Sequence, residues 1–410
     1  MPVIELTWEI FDNFVNQARH RSFEQSSEMG YLLEKRGYQV SPIGYVDNND
    51  LVQVATILYS TPVAGGLYSE IHYGPVFDDI KYLQPFLEGL KAFVKQHNTI
   101  ELAVKPYESY QNYDDNGNEI SDKNLELLAI FEEAGYQFQG LTSGFKSSDW
   151  HYVKSLENIE PTKLLNSFSK KGKALVKKAN TFGTTIRQLE RHELDIFKKV
   201  TSATSDRRDY DDKPLEYYEY LYDGFKDKAK FLVASLNFQD YLDHLTQDQE
   251  KLKVKIAKLE KDLEKNPNSE KKRNQHREFS SQSETFDTRK AEAKELISKY
   301  GNEDVVLAGS LFIQMPQETT YFFSGSYPEF NKFYAPALLQ EYIMKDSIER
   351  GIKNYNLLGV EGTFDGSDGI LRFKQNFNGY IERRPGSFNY YPKPLKYKTY
   401  QVLKTLLRRN

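Results

Sequence analysis

A chain of 410 residues with 39% hydrophobic and 14% aromatic content has the apolar mass for two or three domains. It contains no cysteine, which excludes structural disulfides, cysteine–zinc sites and a thiol nucleophile and fits a reducing compartment. A formal net charge of −4 excludes a wholly basic nucleic-acid binder, so any such surface must be local.

The first residues, MPVIELTWEIFDNF, carry acids early and show no basic stretch leading into an apolar one, so no secretory signal is expected. Residues 1–150 then alternate strands and helices. VQVATILYS and GGLYSEIHYGP predict strands, YLQPFLEGLKAFVKQH a helix, and TIELAVKP a further strand. Residues 110–120 predict a loop, followed by a helix over Asn124–Glu133. A second unit starts at 151 and is interrupted. Leu242, Leu245, Leu252, Ile256, Leu259 and Leu263 keep a heptad seam, with Gln249 at one seam position, and after Asn266-Pro267-Asn268 the seam resumes from His276 to Tyr300. That pattern predicts an antiparallel helical hairpin projecting from the body.

The second unit resumes with strands DVVLAGSLFIQM and TTYFFSGSY, the helix APALLQEYIMKDSIERG and the strand NYNLLGV. The chain closes on a basic amphipathic helix within KPLKYKTYQVLKTLLRRN. The expected class is α+β, with units at 1–150 and at 151–236 plus 303–385. The arm occupies 237–302, and a tail at 386–410 returns to the first unit. The longest apolar run, Val305–Ile313, is far short of a membrane span, and the expectation is a soluble, cytoplasmic protein.

Familiar catalytic signatures are missing. There is no Walker loop, no G-x-G-x-x-G after a strand, no HExxH and no G-x-S-x-G, and the seven histidines are scattered singly. Neither a metal site nor a cofactor is expected. Three stretches remain. In LLNSFSKKGKALVKKANTFG, Lys170, Lys171, Lys173, Lys177 and Lys178 crowd one helix with no acid between them. The stretch reads either as a solvated face or as a phosphate-binding surface, including an RNA backbone. In TSDRRDYDDKPLEYYEY, Arg207 and Arg208 stand among aspartates beside Tyr210, Tyr217 and Tyr218. They read as a neutralised capping loop or as a fork for phosphate or carboxylate. In GTFDGSDGILRFKQNFNG, Lys374 follows a Gly/Asp-rich loop between aromatic rings. It reads either as a snorkelling lysine or as a cation aimed into a cleft.

Taken in order, RSFEQSSEMGYLLEKRG, SFSKKGKALVKKANTFG, TSDRRDYDD, the inserted hairpin, YFFSGSYPEFNKFYAPALLQEYIM and YNLLGVEGTFDGSDGILRFKQNFNG resemble the Fem family. These are the tRNA-dependent aminoacyltransferases of peptidoglycan cross-bridge synthesis. The resemblance spans essentially the whole chain and is closest to the streptococcal MurN-type branch that adds an alanine. It implies two GNAT-like subdomains with an inserted coiled-coil arm suited to tRNA. It also implies a cleft for the lipid-linked peptidoglycan precursor and a peripheral contact with the inner membrane face. The implied donor is aminoacyl-tRNA rather than acetyl-CoA, in keeping with the absence of the Q/R-x-x-G-x-G/A phosphate turn.

The implied reaction is aminolysis of the aminoacyl ester by the amine of the branched stem peptide, as the second addition. Lys374 then contacts the oxyanion or terminal ribose, and Arg207, or else Arg208, the precursor's diphosphate, with Tyr210, Tyr217 and Tyr218 as neighbours. The five lysines of the basic helix are assigned to tRNA. Two positions depart from the family pattern. Its N-terminal lysine falls on Leu33, leaving Lys35 and Arg36 as the nearest basic residues, and an acid ahead of proline is replaced by Lys105. The general base is therefore open among substrate-assisted transfer, Asp365 and Asp368. The competing reading is a non-catalytic tRNA- or protein-binding module on the same scaffold.

Overall fold

The structure is a computed structural model and describes residues 3–144, 149–208 and 211–407. It is an α+β protein built on two mixed sheets. The first runs in the order Val3–Glu5, Gln39–Val46, Val52–Val63, Gly66–His72, Thr99–Lys105, Phe388–Tyr390 and Gln137–Phe138, with Val76–Phe77 paired to Val52–Val63. The second runs Thr185–Gln188, Ala229–Asn237, Asp304–Gln314, Glu318–Ser326, Asn354–Gly359, Trp150–Ser155, Tyr380–Arg383 and Gln111–Tyr113. Each sheet is antiparallel except at one step. Gly66–His72 lies parallel to Thr99–Lys105 across the helix Leu83–Gln96, and Glu318–Ser326 lies parallel to Asn354–Gly359 across the helix Ala335–Glu349. A parallel pair needs such a crossover, so the same strand–helix–strand device occurs once in each sheet.

The sheets trade strands. Gln111–Tyr113, within the stretch expected to be a loop, pairs with Tyr380–Arg383 in the second sheet, Ile381 opposite Tyr113. The returning tail supplies Phe388–Tyr390 to the first sheet, where Phe388 stacks on Phe131 with ring centroids 4.2 Å apart. Between the sheets lies a shared core, in which Phe11, Phe23 and Ile57 pack in one cluster with Tyr218, Phe231 and Leu311. Burial on this scale from both sheets makes the body one packed unit.

The arm consists of helices Phe238–Lys265 and Glu270–Tyr300, reversed at Asn266-Pro267-Asn268 as the heptad predicts. Its seam is narrow. Leu245, Leu252 and Ala293 are buried, whereas Ile256, Leu259 and Leu263 nearer the tip are half-buried. Gln249 is buried in the seam, donating to Ser283 O at 3.1 Å and Asp287 Oδ1 at 2.8 Å and accepting from Lys290. A satisfied polar group at a seam position fixes register, because any slip would leave it unpaired. Phe238 against Phe330 and Phe333 roots the arm in the second unit.

Candidate active site

The cleft opens where two parallel strands part. Glu318–Ser326 and Asn354–Gly359 are in register only from Glu318↔Asn354 to Thr320↔Asn356. Beyond that point Tyr321–Ser326 and Leu357–Gly359 diverge and form two walls of a cavity of about 590 Å³. The C-terminal end of Gly66–His72 supplies a third wall through His72 and Tyr73. Ligand sites commonly form at the carboxyl ends of parallel strands, where the next segment leaves the sheet. A second cavity of about 220 Å³ shares Glu24, His72 and Phe322 with the first and ends on Arg36 and Tyr217. Together they make one elongated cleft.

Two glycines bring the expected basic residues to it. At Gly325 an added Cβ would lie 2.4 Å from Val200 O, so the helix Leu194–Arg208 can cross the strand only because no side chain stands there. Thr204 Oγ1 accepts from Ser326 N at 3.1 Å, and Arg207 donates to Ser326 O at 3.2 Å. Arg207 and Arg208 thereby line the larger cavity. At Gly172 a Cβ would lie 1.9 Å from Asn376 O, which lets the helix Lys170–Ala179 seat on the turn just after Lys374.

Lys374 ends a six-residue helix, Gly369–Lys374, that follows the Gly/Asp-rich loop. It is 4% exposed, and its Nζ donates to Leu358 O at 3.0 Å and Gly359 O at 2.6 Å. The ammonium is held inside, so it does not snorkel. Leu358 adopts φ +57°, an uncommon conformation for a bulky side chain, and its N–H is held by Asn356 Oδ1 at 2.8 Å. Burial pulls the Lys374 pKa down to about 7 against a smaller upward pull from Asp368. A lysine in this state exchanges between ammonium and amine near neutrality.

The two aspartates take other places. Asp368 is buried as the cap of that helix, its Oδ1 accepting from Ile370 N and Leu371 N at 2.7 and 3.1 Å and its Oδ2 from Glu361 N at 3.0 Å. Asp365 is exposed, accepts from Ser367 N at 2.8 Å, and is not among the residues lining either cavity. Arg36 faces the smaller cavity with Tyr217, its guanidinium 5.6 Å from that ring, while Lys35 lies outside over Tyr31. Tyr218 is turned inward and donates to Asp212 at 2.7 Å. Tyr210 lies outside the described residues. Lys170, Lys171, Lys177 and Lys178 are exposed and Lys173 half-buried, and none of the five enters the ion pairs found among the described residues.

The structure adds three residues that sequence reasoning left out. Glu24 and His72 pair where the two cavities join, and Glu24 is the carboxylate among the described residues lining the larger one. Burial is the largest influence on His72 and lowers its pKa, but the Glu24 carboxylate outweighs it and the net shift is upward. His151 is buried beside Tyr73, with Nε2 3.0 Å from the Tyr73 hydroxyl and Nδ1 3.2 Å from Asn356 Nδ2. Asn356 also donates to Tyr107, which donates to Glu318 at 2.6 Å. Because Asn356 Oδ1 is taken by Leu358 N, its amide nitrogen faces His151, which makes Nδ1 an acceptor and puts the imidazole proton on Nε2. Each of these residues comes from a different strand end or loop, so no local spacing announces them.

A family model described as the FemAB family matches residues 6–405. The chain is 27% identical over 416 residues to the aminoacyltransferase FemA of Staphylococcus epidermidis, covering 99% of both chains. It is 28% identical over 417 residues to the aminoacyltransferase FemB of the same species, covering 100% of this chain and 98% of that one. The crystal structure of FemX superposes with a TM-score of 0.78 at 21% identity, over 98% of this chain and 99% of that one.

Proposed function

Because the chain belongs to the FemAB family, we propose that its cleft moves L-alanine from alanyl-tRNA to the peptidoglycan lipid precursor, onto the amine that its branched stem peptide already carries. The alanine becomes the second residue of the cross-bridge. The chain is an aminoacyltransferase, the activity for which its FemA and FemB relatives are named. The observation that supports a cleft for a charged tRNA ester and a diphosphate-bearing precursor is the placement of charge. Arg207, Arg208 and Lys374 line the larger cavity and Arg36 the smaller, with the Glu24–His72 pair between them. Guanidinium groups suit a diphosphate, and a buried lysine suits the oxygen of a reacting ester.

An aminoacyl ester is already activated, so no covalent enzyme intermediate is required. The acceptor ammonium first loses one proton to water. Its nitrogen lone pair then adds to the ester carbonyl, and negative charge collects on that oxygen, where the ammonium form of Lys374 donates a hydrogen bond. Collapse of the tetrahedral species breaks the bond to the ribose oxygen, which takes the second proton from the attacking nitrogen. The products are an amide and free tRNA. Asp368 is committed to its helix cap and Asp365 stands outside the cavities. Proton transfer within the substrates therefore needs no carboxylate at either position. Bringing the two substrates together in register is then the largest contribution of the site.

The basic helix seats on the turn that follows Lys374 through Gly172 and Asn376. A tRNA backbone laid on Lys170, Lys171, Lys173, Lys177 and Lys178 would run beside the Lys374 end of the cleft. The test is transfer of radiolabelled amino acid from charged tRNA to the lipid-linked precursor, with and without a first residue on the stem lysine. Label moving from alanyl-tRNA only, and only onto the pre-extended precursor, is the expected result. No transfer from any charged tRNA to either acceptor would overturn the reading.

A further inference from the structure

The helix Pro394–Leu407 is mounted with its apolar side outward. Tyr397, Tyr400 and Gln401 are half-buried, with the Tyr397 ring 4.3 Å from that of Tyr391. At the start of the helix Lys393 Nζ reaches Asn98 Oδ1 at 2.5 Å and Lys396 Nζ reaches Gly65 O at 3.3 Å. The docked side is thus aromatic and polar. On the other side Leu395, Val402, Leu403 and Leu406 are 80%, 60%, 42% and 56% exposed. At 3.6 residues per turn these four fall within about 100° of arc. Lys396 and Lys398 fall on the two edges of that arc. An ordinary surface helix is mounted the other way round.

Charge identifies the covering surface. From Tyr391 to Asn410 the chain has Lys393, Lys396, Lys398, Lys404, Arg408 and Arg409 and no acid, within a protein whose net charge is −4. An apolar stripe edged by lysines matches a bilayer surface bearing anionic headgroups: the leucines enter the acyl boundary, and the lysine stems lie along it with their ammonium groups at the phosphates. A water-facing role would leave four large apolar side chains exposed along one stripe with no compensation.

We propose that the helix Pro394–Leu407 is a lipid-docking element that lies in the plane of an anionic membrane surface and holds the enzyme there reversibly. This extends the proposed function and rests on it only for its purpose, since the acceptor of that reaction is carried on a lipid. The strand Gly66–His72 joins the two places: Gly65 lies under the start of the helix, and His72 lines the cleft. Seven residues at about 3.3 Å each set the cleft on the order of 20 Å from the docking helix.

The test uses the full chain and vesicle flotation, which needs no turnover. Vesicles of one-third phosphatidylglycerol in phosphatidylcholine are compared with phosphatidylcholine alone. The expected result is binding to the anionic vesicles that weakens with salt, and little binding to the neutral ones. Lys396→Gln with Lys398→Gln should weaken partition by roughly thirtyfold, at about 1 kcal/mol for each lysine at the surface. Val402→Asp with Leu406→Asp should weaken it at least about a hundredfold. All four side chains are exposed, and the one contact removed is the 3.3 Å surface hydrogen bond of Lys396 to Gly65 O, so the variants should melt close to the parent. Transfer to a water-soluble precursor fragment should stay unchanged in both, while transfer to precursor embedded in vesicles falls. Equal binding to neutral and anionic vesicles, no binding to either, or a dimer that the Val402/Leu406 variant dissociates would each overturn the proposal. Failure of transfer in the parent protein would bear on the proposed function alone.

Discussion

Replacing Lys374 with methionine separates the cost of burying a cation from the use of that cation. The side chain is 4% exposed, with its pKa drawn down to about 7 chiefly by burial. Against an unfolded lysine near 10.4, that difference corresponds to about 5 kcal/mol of destabilisation while the group is charged in both states. The sign follows from proton counting. Below about pH 7 both states hold the proton and the full cost is present; between pH 7 and 10 the folded state has lost it and the unfolded state has not, so the cost fades as pH rises. Methionine removes this cost but leaves the carbonyls of Leu358 and Gly359 without their donor, at about 1–3 kcal/mol each. Lys374→Met should therefore change stability modestly at pH 6.5. The parent should then gain about 4 kcal/mol on the variant between pH 6.5 and pH 10. For a chain this long that is about 5 °C in melting temperature, read as the difference between two calorimetric series in the same buffers. Other titrating groups cancel in that difference. A gap constant to about 1 °C across the range would refute the idea that Lys374 is held inside at a cost, and with it the reason for its use at neutral pH.

The remaining predictions concern the proposed roles of the cleft and its flanks. Arg207→Ala with Arg208→Ala should lower kcat/KM for the lipid-linked precursor by at least about a hundredfold, mostly in KM, since each charge-assisted contact is worth about 1.5–3 kcal/mol; an unchanged KM would remove both from the diphosphate site. Changing Lys170, Lys177 and Lys178 to alanine should flatten the log–log salt dependence of tRNA binding by about 0.7–0.9 per lysine, with little change in melting temperature. If the slope stays put, the lysines form only a solvated face. Gly172→Ala places a Cβ against Asn376 O and should cost about 1–3 kcal/mol while displacing the turn that follows Lys374. Its kcat should fall further than its thermal stability suggests, and kinetics beside calorimetry will show whether it does.

Periodicity made some elements readable and hid others. The arm is legible because a heptad persists on both sides of a proline turn, and even its irregular member, Gln249, sits at a seam position where the structure pairs it. The strand Gln111–Tyr113 was not. It is too short to show alternation, and its partner, Tyr380–Arg383, lies far down the chain. The basic segment read as one helix over 164–183 breaks into a 3-10 turn, Pro161–Ser167, and the helix Lys170–Ala179, because the Ser169 side chain caps the latter by accepting from Gly172 N. Amphipathicity of the last helix was also plain, yet amphipathicity alone does not say which face meets the body. Only the docking of Tyr397 and Tyr400 shows that the apolar face points away.

The same distinction runs through the candidate site. Residue type and order marked Lys374, Arg207 and Arg208, but the property that makes Lys374 useful is not in its neighbours along the chain. It comes from Leu358, held in a left-handed turn by Asn356, where two strands stop pairing and present two carbonyls to the ammonium. Asn356 in turn orients His151 and donates to Tyr107, whose hydroxyl donates to Glu318 at the paired end of the same strands. The point where the sheet opens is thus braced by one amide side chain that serves both the cation and the histidine. A substitution at Asn356 should disturb both at once, whereas substitutions at Lys374 or His151 should each disturb one. Comparing the three by a double-mutant cycle would show the coupling directly, because independent sites add and these should not.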